Sequence, residues 1–299
     1  MPQRKLLFIL NPSAGGGQSR RMLAAVRAAA GEMGYAGEWR MTSAAGHAQA
    51  IAQAVAGHGF TRVVGVGGDG TLQEIANGLL QGGRPIELGV VPAGTGNDFA
   101  RALGLPLDPA AATRIACGER VRPVDAALAL GRCFINIAGA GLDGAVAAAV
   151  ARRRGDGSPT GPIMYLACGI EALSRLKPQE VSIELDGQLL HRRIMLVAIG
   201  NGPFGGGGMM FCPEADPTDG LLDVCIVGEV PKWRALAMVP GLFRGQHVRH
   251  PAVEYQRARR IRIEPLQTHY AVPVHLDGEA CDQLPLDVQI LPAALLVAC

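Results

Sequence analysis

Three stretches hold the carboxylates that could do chemistry. In Arg62 to Leu80, RVVGVGGDGTLQEIANGLL, Asp69 stands among Gly65, Gly67, Gly68 and Gly70. Glycines let backbone N–H groups face a polyphosphate without Cβ obstruction, and a helix opening near Thr71 adds the positive end of its dipole. A carboxylate repels phosphate. Asp69 therefore makes sense with a Mg²⁺ between the two, or as the group that positions an attacking hydroxyl. The plain alternative is a tight strand-to-helix turn with Asp69 as helix cap. In VHLDGEA, Asp277 and Glu279 are two residues apart. On an extended strand they would share a face, as paired carboxylates able to bind Mg²⁺ and take a proton. Asp-Gly is also a favoured hairpin turn, the stronger reading on these residues alone. In PEADPTDGLLDV, Asp216 and Asp219 offer oxygen ligands suited to Mg²⁺ or Ca²⁺, or merely a turn before a strand.

Two more glycine loops accompany GVGGDG. PAGTGNDFA, residues 92–100, again follows an apolar run and opens a helix, and NPSAGGG leaves the first apolar run. Loops at the carboxyl ends of parallel strands lie side by side, where open α/β sheets bind ligands. Thr95 can give its hydroxyl to a phosphate, and Asn97 and Asp98 can cap the helix. GVGGDG also matches the G-x-G-x-x-G dinucleotide fingerprint, which would suit an oxidoreductase. It follows the third strand rather than the first, however, and the next strand ends at Pro92 without a ribose-binding acid. No G-x-x-x-x-G-K-[ST] occurs, which excludes a P-loop NTPase.

The elements that must position these groups fall into two textures. KLLFIL, GEWRMT, RVVGV and IELGVV read as short buried strands. They alternate with helices at about 20–33, in GHAQAIAQAVAGHG, at about 71–80, and in NDFARALGL and PAAATRIACG. This alternation predicts a Rossmann-like, three-layer α/β domain with a parallel sheet over residues 1–122. From 123 to 291 the chain is mostly short strands, with two helices at about 163–176 and 232–244. That pattern predicts a mainly antiparallel β-sandwich, or a barrel-like closure of it. The tail at 292–299 is expected to pack back on the first domain. Residues 151–162, ARRRGDGSPTGP, read as a mobile loop. GGGGMMF at 205–211 suits either a lipid chain or a bulge in the core. The histidines, His269 among them, show no ligand spacing.

A formal charge of +2 and 4% aromatic residues disfavour a base-stacking nucleic-acid binder. Seven scattered cysteines with no C-x-x-C disfavour a disulfide framework or zinc site and suit a reducing cytoplasm. No run reaches the ~18 apolar residues of a membrane span. The expectation is a soluble cytoplasmic protein, free to meet the inner membrane face peripherally.

NPSAGGG, GGDGTLQEIANGL, GVVPAGTGNDFARALG and LDGE, in this order, resemble the diacylglycerol kinase catalytic-domain family, specifically the YegS-type bacterial lipid kinases. GGGGMMFCPEADPTDGLLDV and ILPAAL fit the same group, so the resemblance spans nearly the whole chain. GGDGT alone is shared with NAD kinases and 6-phosphofructokinases; GTGNDFA and the late DGE separate the lipid kinases from them. The resemblance implies transfer of the γ-phosphoryl of ATP to a membrane-lipid hydroxyl, of the phosphatidylglycerol or diacylglycerol type, with ATP between the two domains. It assigns nucleotide contacts to Thr42, to Gly67, Gly68, Asp69, Gly70, Thr71, Leu72 and Gln73, and to Thr95, beside which Asn97 lies. For Thr42 the competing role is a cap on the helix that follows. The resemblance makes Glu279, or Asp277 beside it, the proton acceptor, and places a structural Mg²⁺ or Ca²⁺ at Asp216, Asp219 and the Leu221 carbonyl. An NAD kinase-like phosphotransferase and a non-catalytic nucleotide-binding module are the rival functions.

Overall fold

The computed structural model describes residues 4–35, 37–155, 162–267 and 271–299. The chain forms two compact units, residues 1–126 with 291–299, and residues 127–290.

In the first unit strand and helix alternate: β1 (Leu6–Leu10), α1 (Ala14–Glu32), β2 (Glu38–Met41), α2 (His47–Ala54), β3 (Arg62–Gly67), α3 (Asp69–Gln81), β4 (Glu87–Pro92), α4 (Asp98–Ala102), α5 (Pro109–Cys117) and β5 (Val121–Ala129). β2, β1, β3 and β4 lie in that order, all parallel. Val297, near the chain end, pairs in parallel with Leu88 on the outer side of β4. Both faces of the sheet are covered, which is why its strands are almost wholly apolar. Leu6, Phe8, Leu10, Val64 and Val66 pack with Val26 and Ala30 of α1 and Ala112 and Ala116 of α5. The opposite face meets α3 so closely that a Cβ on Gly65 would lie 2.7 Å from Ile75 Cδ1 and 2.9 Å from Leu72 Cδ2. The expected helix at 20–33 starts earlier, at Ala14, but Gly15, Gly16 and Gly17 are left-handed within it, so a kinked glycine turn precedes the regular helix.

The second unit contains β6 (Arg132–Phe134), β7 (Ile137–Gly141), α6 (Leu142–Gly155), α7 (Pro162–Arg175), β8 (Gln179–Leu185), β9 (Gln188–Gly200), β10 (Phe204–Gly205), β11 (Met209–Met210), β12 (Leu222–Gly228), α8 (Lys232–Leu242), β13 (Val253–Ala258), β14 (Arg260–Pro265), β15 (Pro273–Leu276), β16 (Glu279–Gln283) and the start of β17 (Leu286–Ala298), whose residues from 291 on belong to the first unit. It is a mainly antiparallel β-sandwich. The long β9 pairs with β8 through its first half, and with both β7 and β12 through its second. Alternation places Val181, Ile183 and Leu185 of β8, Ile261 and Ile263 of β14, and Leu286, Val288 and Ile290 of β17 in one core. Asp186-Gly187 makes the expected β8–β9 turn, with φ of +47° and +90° as a type I′ hairpin requires. Residues 206–208 form the three-residue turn that joins the two-residue strands β10 and β11.

One helix was not anticipated. Residues 142–155, LDGAVAAAVARRRG, form α6, so the loop expected from Ala151 begins as helix. Alanine gives strong helix propensity but no apolar stripe of period 3.6, so a pattern search passes over it. Arg152 and Arg153 fall at its C-terminal end, where cations complement the helix dipole. Residues 156–161 and His269 lie outside the described residues. Among the described residues no helix is long and apolar enough to cross a membrane.

Candidate active site

Three loops leave the carboxyl ends of β1, β3 and β4. β2 lies on one side of β1, and β3 with β4 on the other. The strand order therefore reverses between β1 and β3, the position where open α/β sheets hold ligands. The loops are fastened main chain to main chain. Asn11 N–H donates to Val66 O at 3.1 Å, and Ala93 N–H to Gly67 O at 2.8 Å. A Cβ on Gly94 would lie 2.5 Å from Gly68 Cα, and one on Gly15 would lie 2.5 Å from Ala93 O. Part of the demand for glycine is thus loop-on-loop contact. Gly70 is different: it is exposed, and a Cβ there meets nothing within 4 Å.

Side chains then lock the loops. Asn11 Nδ2 donates to Thr71 Oγ1 at 2.9 Å, tying the β1 loop to the first turn of α3. Asn97 Oδ1 accepts from Gly94 N at 2.8 Å, and its Nδ2 donates to Gly94 O at 3.0 Å. Asn97 holds the N-cap position of α4 in a left-handed conformation but makes no side-chain cap bond. This corrects the capping expectation: its amide closes the glycine loop instead. Thr95 is exposed at the tip of that loop.

Asp69 is the first residue of α3 and is partly buried. Its Oδ1 accepts from Phe99 N at 3.0 Å, so it joins the β3 loop to α4 rather than capping its own helix. Burial pushes its carboxyl above the ordinary value, while main-chain hydrogen bonds from Phe99, Asp98, Asp69 and Asn97 pull it down less strongly. Thr71, Leu72 and Gln73 are buried. The Leu72 side chain belongs to the core, and its N–H donates to Gly68 O at 3.1 Å. Gln73 Nε2 is buried without a hydrogen-bond partner among the described residues. Thr42 extends β2, donating its N–H to Leu10 O at 2.8 Å. It does not cap α2: Gly46 takes the N-cap position, and the Glu74 carboxylate accepts from Gly46 N and Ala48 N at 2.8 and 3.0 Å.

In the second unit Asp277 and Glu279 do not share a strand face. Asp277 and Gly278, with φ of +48° and +79°, form the β15–β16 turn, and Glu279 starts the return strand. The Asp-Gly pair has the same backbone geometry as Asp186-Gly187, which overrides the i, i+2 alternation of an unbroken strand. The Asp277 carboxylate is anchored in main chain: Oδ2 accepts from Ile135 N at 2.9 Å, and Oδ1 from Asn136 N and Ile137 N at 2.9 and 3.0 Å. Glu279 is exposed and pairs with Arg132 at 2.9 Å. Beneath the turn is a pair that sequence reading missed. His275 Nδ1 accepts from Gly278 N at 3.1 Å, and its Nε2 lies 3.2 Å from Asp143 Oδ2. With Nδ1 accepting, Nε2 carries the proton and donates to Asp143. Both side chains are buried. Gly139 makes room for them, since a Cβ there would overlap Asp143.

Asp216 and Asp219 sit on one turn. Asp216 Oδ1 accepts from Thr218 N and Oγ1, and Asp219 Oδ1 from Leu221 N at 3.0 Å. Asp219 Oδ2 is bonded to Arg257, which also reaches the buried Asp223. Burial pushes the Asp223 carboxyl up, and Tyr255 and Arg257 partly offset this. Two carboxylates and a main-chain carbonyl are hard oxygen donors that fit Mg²⁺ or Ca²⁺, and the guanidinium supplies the positive charge such an ion would bring. Among the described residues no three His, Cys, Asp or Glu side chains gather as a metal cluster.

Residues 5–129 match the diacylglycerol kinase catalytic domain, and residues 136–299 the YegS C-terminal NAD kinase beta sandwich-like domain. A diacylglycerol kinase of Bacillus subtilis (strain 168) is 32% identical over 284 residues, covering 94% of this chain and 92% of the relative. A protein named "Probable lipid kinase YegS-like" from Pseudomonas aeruginosa (strain UCBPP-PA14) is 33% identical over 300 residues, covering 99% and 95%. The crystal structure of a diacylglycerol kinase from Bacillus anthracis str. Sterne superposes with a TM-score of 0.77 at 27% identity, over 100% of this chain and 97% of that one. Two matched domains and relatives of nearly equal length place this chain in the diacylglycerol kinase catalytic-domain family, YegS type, as a lipid kinase and hence a phosphotransferase.

Proposed function

We propose that this lipid kinase takes its phosphoryl group from ATP and passes it to the hydroxyl of a membrane lipid of the diacylglycerol or phosphatidylglycerol type. The observation that carries the reading is the junction of three glycine loops at the β1/β3 switch point, with Asp69 fixed by the Phe99 amide at its centre. The β1, β3 and β4 loops hold the triphosphate, with Gly67, Gly68, Gly70, Thr71, Gln73 and Thr95 around it and Thr42 toward the nucleoside. A divalent cation bound with ATP would offset its charge. Asp69 keeps a fixed carboxylate beside the phosphates through its main-chain bonds. The Asp277–Glu279 turn of the second unit supplies the proton acceptor for the lipid hydroxyl, and positioning with electrostatics provides most of the rate. Asp216, Asp219 and the Leu221 carbonyl hold a structural cation, which requires Arg257 to release Asp219.

Relatives named diacylglycerol kinase favour diacylglycerol as acceptor. The test is mass spectrometry of total lipids after incubation with ATP and Mg²⁺, with NAD offered as competing acceptor. One lipid class should gain a phosphate. Phosphorylated NAD with unchanged lipids would reverse the assignment.

A further inference from the structure

A surface helix normally turns its apolar stripe toward the core. α8 packs Ala235 on the core but carries a second apolar stripe on its outer side. Trp233, Leu236, Pro240 and Phe243 recur at intervals of three, four and three residues, one face of a helix extended by a residue. No residue of α8 is buried, and Trp233 is 67%, Phe243 54% and Leu236 47% exposed. The neighbouring α7 adds Ile170, also exposed. The charges along this segment have one sign. Between residues 231 and 250 the chain carries Lys232, Arg234, Arg244 and Arg249 and no acidic residue. The Arg234 guanidinium lies 5.0 Å from the Trp233 ring, so cation and aromatic ring occupy the same spot.

We propose that the α8 face docks this protein on an anionic lipid bilayer, with Trp233, Leu236, Pro240 and Phe243 entering the interface and Arg234 and Arg244 on the headgroup phosphates. Tryptophan favours the membrane–water boundary, and a short helix with an apolar face and a basic border lies in that plane. A second copy of the chain is a poor occupant. A two-fold contact through α8 brings like-charged arginines and lysines together. A stripe of four side chains also falls well short of the roughly 800 Å² per partner of a stable protein interface. The inference deepens the lipid-kinase assignment by naming the surface that meets the substrate's bilayer, and it needs no nucleotide chemistry.

The test is sedimentation of the full chain with vesicles, without ATP. The vesicles are phosphatidylcholine alone, or phosphatidylcholine mixed with phosphatidylglycerol. Wild-type protein should sediment with the mixed vesicles and release as salt rises. Trp233→Ser with Phe243→Ser should weaken partition roughly tenfold or more. Reversing Arg234 and Arg244 to glutamate should weaken it by at least roughly twenty-five-fold, at about fivefold or more per basic residue. Both variants should keep the wild-type melting temperature and the wild-type turnover of detergent-dispersed lipid. Failure of wild-type protein to bind mixed vesicles, or equal binding by the variants, overturns the proposal. So does a wild-type dimer in light scattering that the Trp233/Phe243 variant dissolves. Loss of kinase activity with vesicle binding intact would count against the chemistry instead.

Discussion

The Asp69 carboxylate accepts the Phe99 main-chain amide at 3.0 Å, so the residue proposed to serve the phosphates also staples the β3 loop to α4. Burial raises its pKa above that of an ordinary carboxylate. A raised carboxyl favours the folded state most where it is protonated. Its contribution is complete below the unfolded value and is lost as pH rises through the folded one. Asp69→Asn keeps the oxygen that accepts from Phe99 and removes the charge. It should melt at or above wild type at neutral pH, and the difference should vanish under acid. Turnover should fall by roughly 10²–10⁴-fold if the fixed carboxylate serves phosphoryl transfer. Thermal melts from pH 4 to 8, paired with kinase assays, check both halves.

Gly94 and Gly70 separate the two reasons for glycine. A methyl at Gly94 would press on the Gly68 Cα at 2.5 Å, where main chain cannot move aside. Gly94→Ala should cost about 1–3 kcal/mol of stability. Gly70→Ala meets no protein atom and lies within α3, so it should be neutral or add up to roughly 1 kcal/mol through helix propensity. If triphosphate occupies the space before α3, Gly70→Ala should still weaken nucleotide binding several-fold. Titration calorimetry with a non-hydrolysable ATP analogue, beside urea melts, checks the contrast.

The Asp277 and Glu279 carboxylates should part company on stability. Glu279→Gln breaks only an exposed pair with Arg132 and should shift stability by less than about 0.5 kcal/mol. Asp277→Asn weakens three main-chain hydrogen bonds and should cost about 1–3 kcal/mol. Whichever is the proton acceptor should lose roughly 10²–10⁴ in kcat, with a flattened pH profile.

His275 should matter through the nitrogen it presents to Gly278. His275→Asn can still accept from the Gly278 amide, as Nδ1 does, whereas His275→Gln reaches toward Asp143 instead. His275→Ala leaves the buried Asp143 without this donor and should cost about 1.5–3 kcal/mol. Hydrogen exchange at the Gly278 amide should quicken in the glutamine and alanine variants and stay nearer wild type in the asparagine variant.

The first unit was largely legible because its strands are short apolar runs, each closed by a glycine loop, and parallel sheets leave that trace. Leu72 shows where the trace misleads: a residue inside a loop motif turned out to be core, because α3 begins at Asp69 and not at Thr71. The turn at Asp277 was readable from Asp-Gly chemistry, but its anchoring on Ile135–Ile137 was not, since those amides come from about 140 residues away. The Asp143–His275 pair was invisible for the same reason: His275 lies in VHLDGEA but Asp143 belongs to no such stretch, and the pairing of β15 with β7, which leads into α6, brings them together. The alanines of α6 gave no periodic signal at all.

The central claim is that the three glycine loops and Asp69 transfer the terminal phosphate of ATP to a lipid. Incubating γ-labelled ATP, Mg²⁺ and dispersed diacylglycerol or phosphatidylglycerol with wild-type or Asp69→Asn protein tests it most directly. Label should pass to one lipid with the wild type and drop by at least roughly a hundredfold with a folded Asp69→Asn variant. Equal labelling by the two proteins would contradict it.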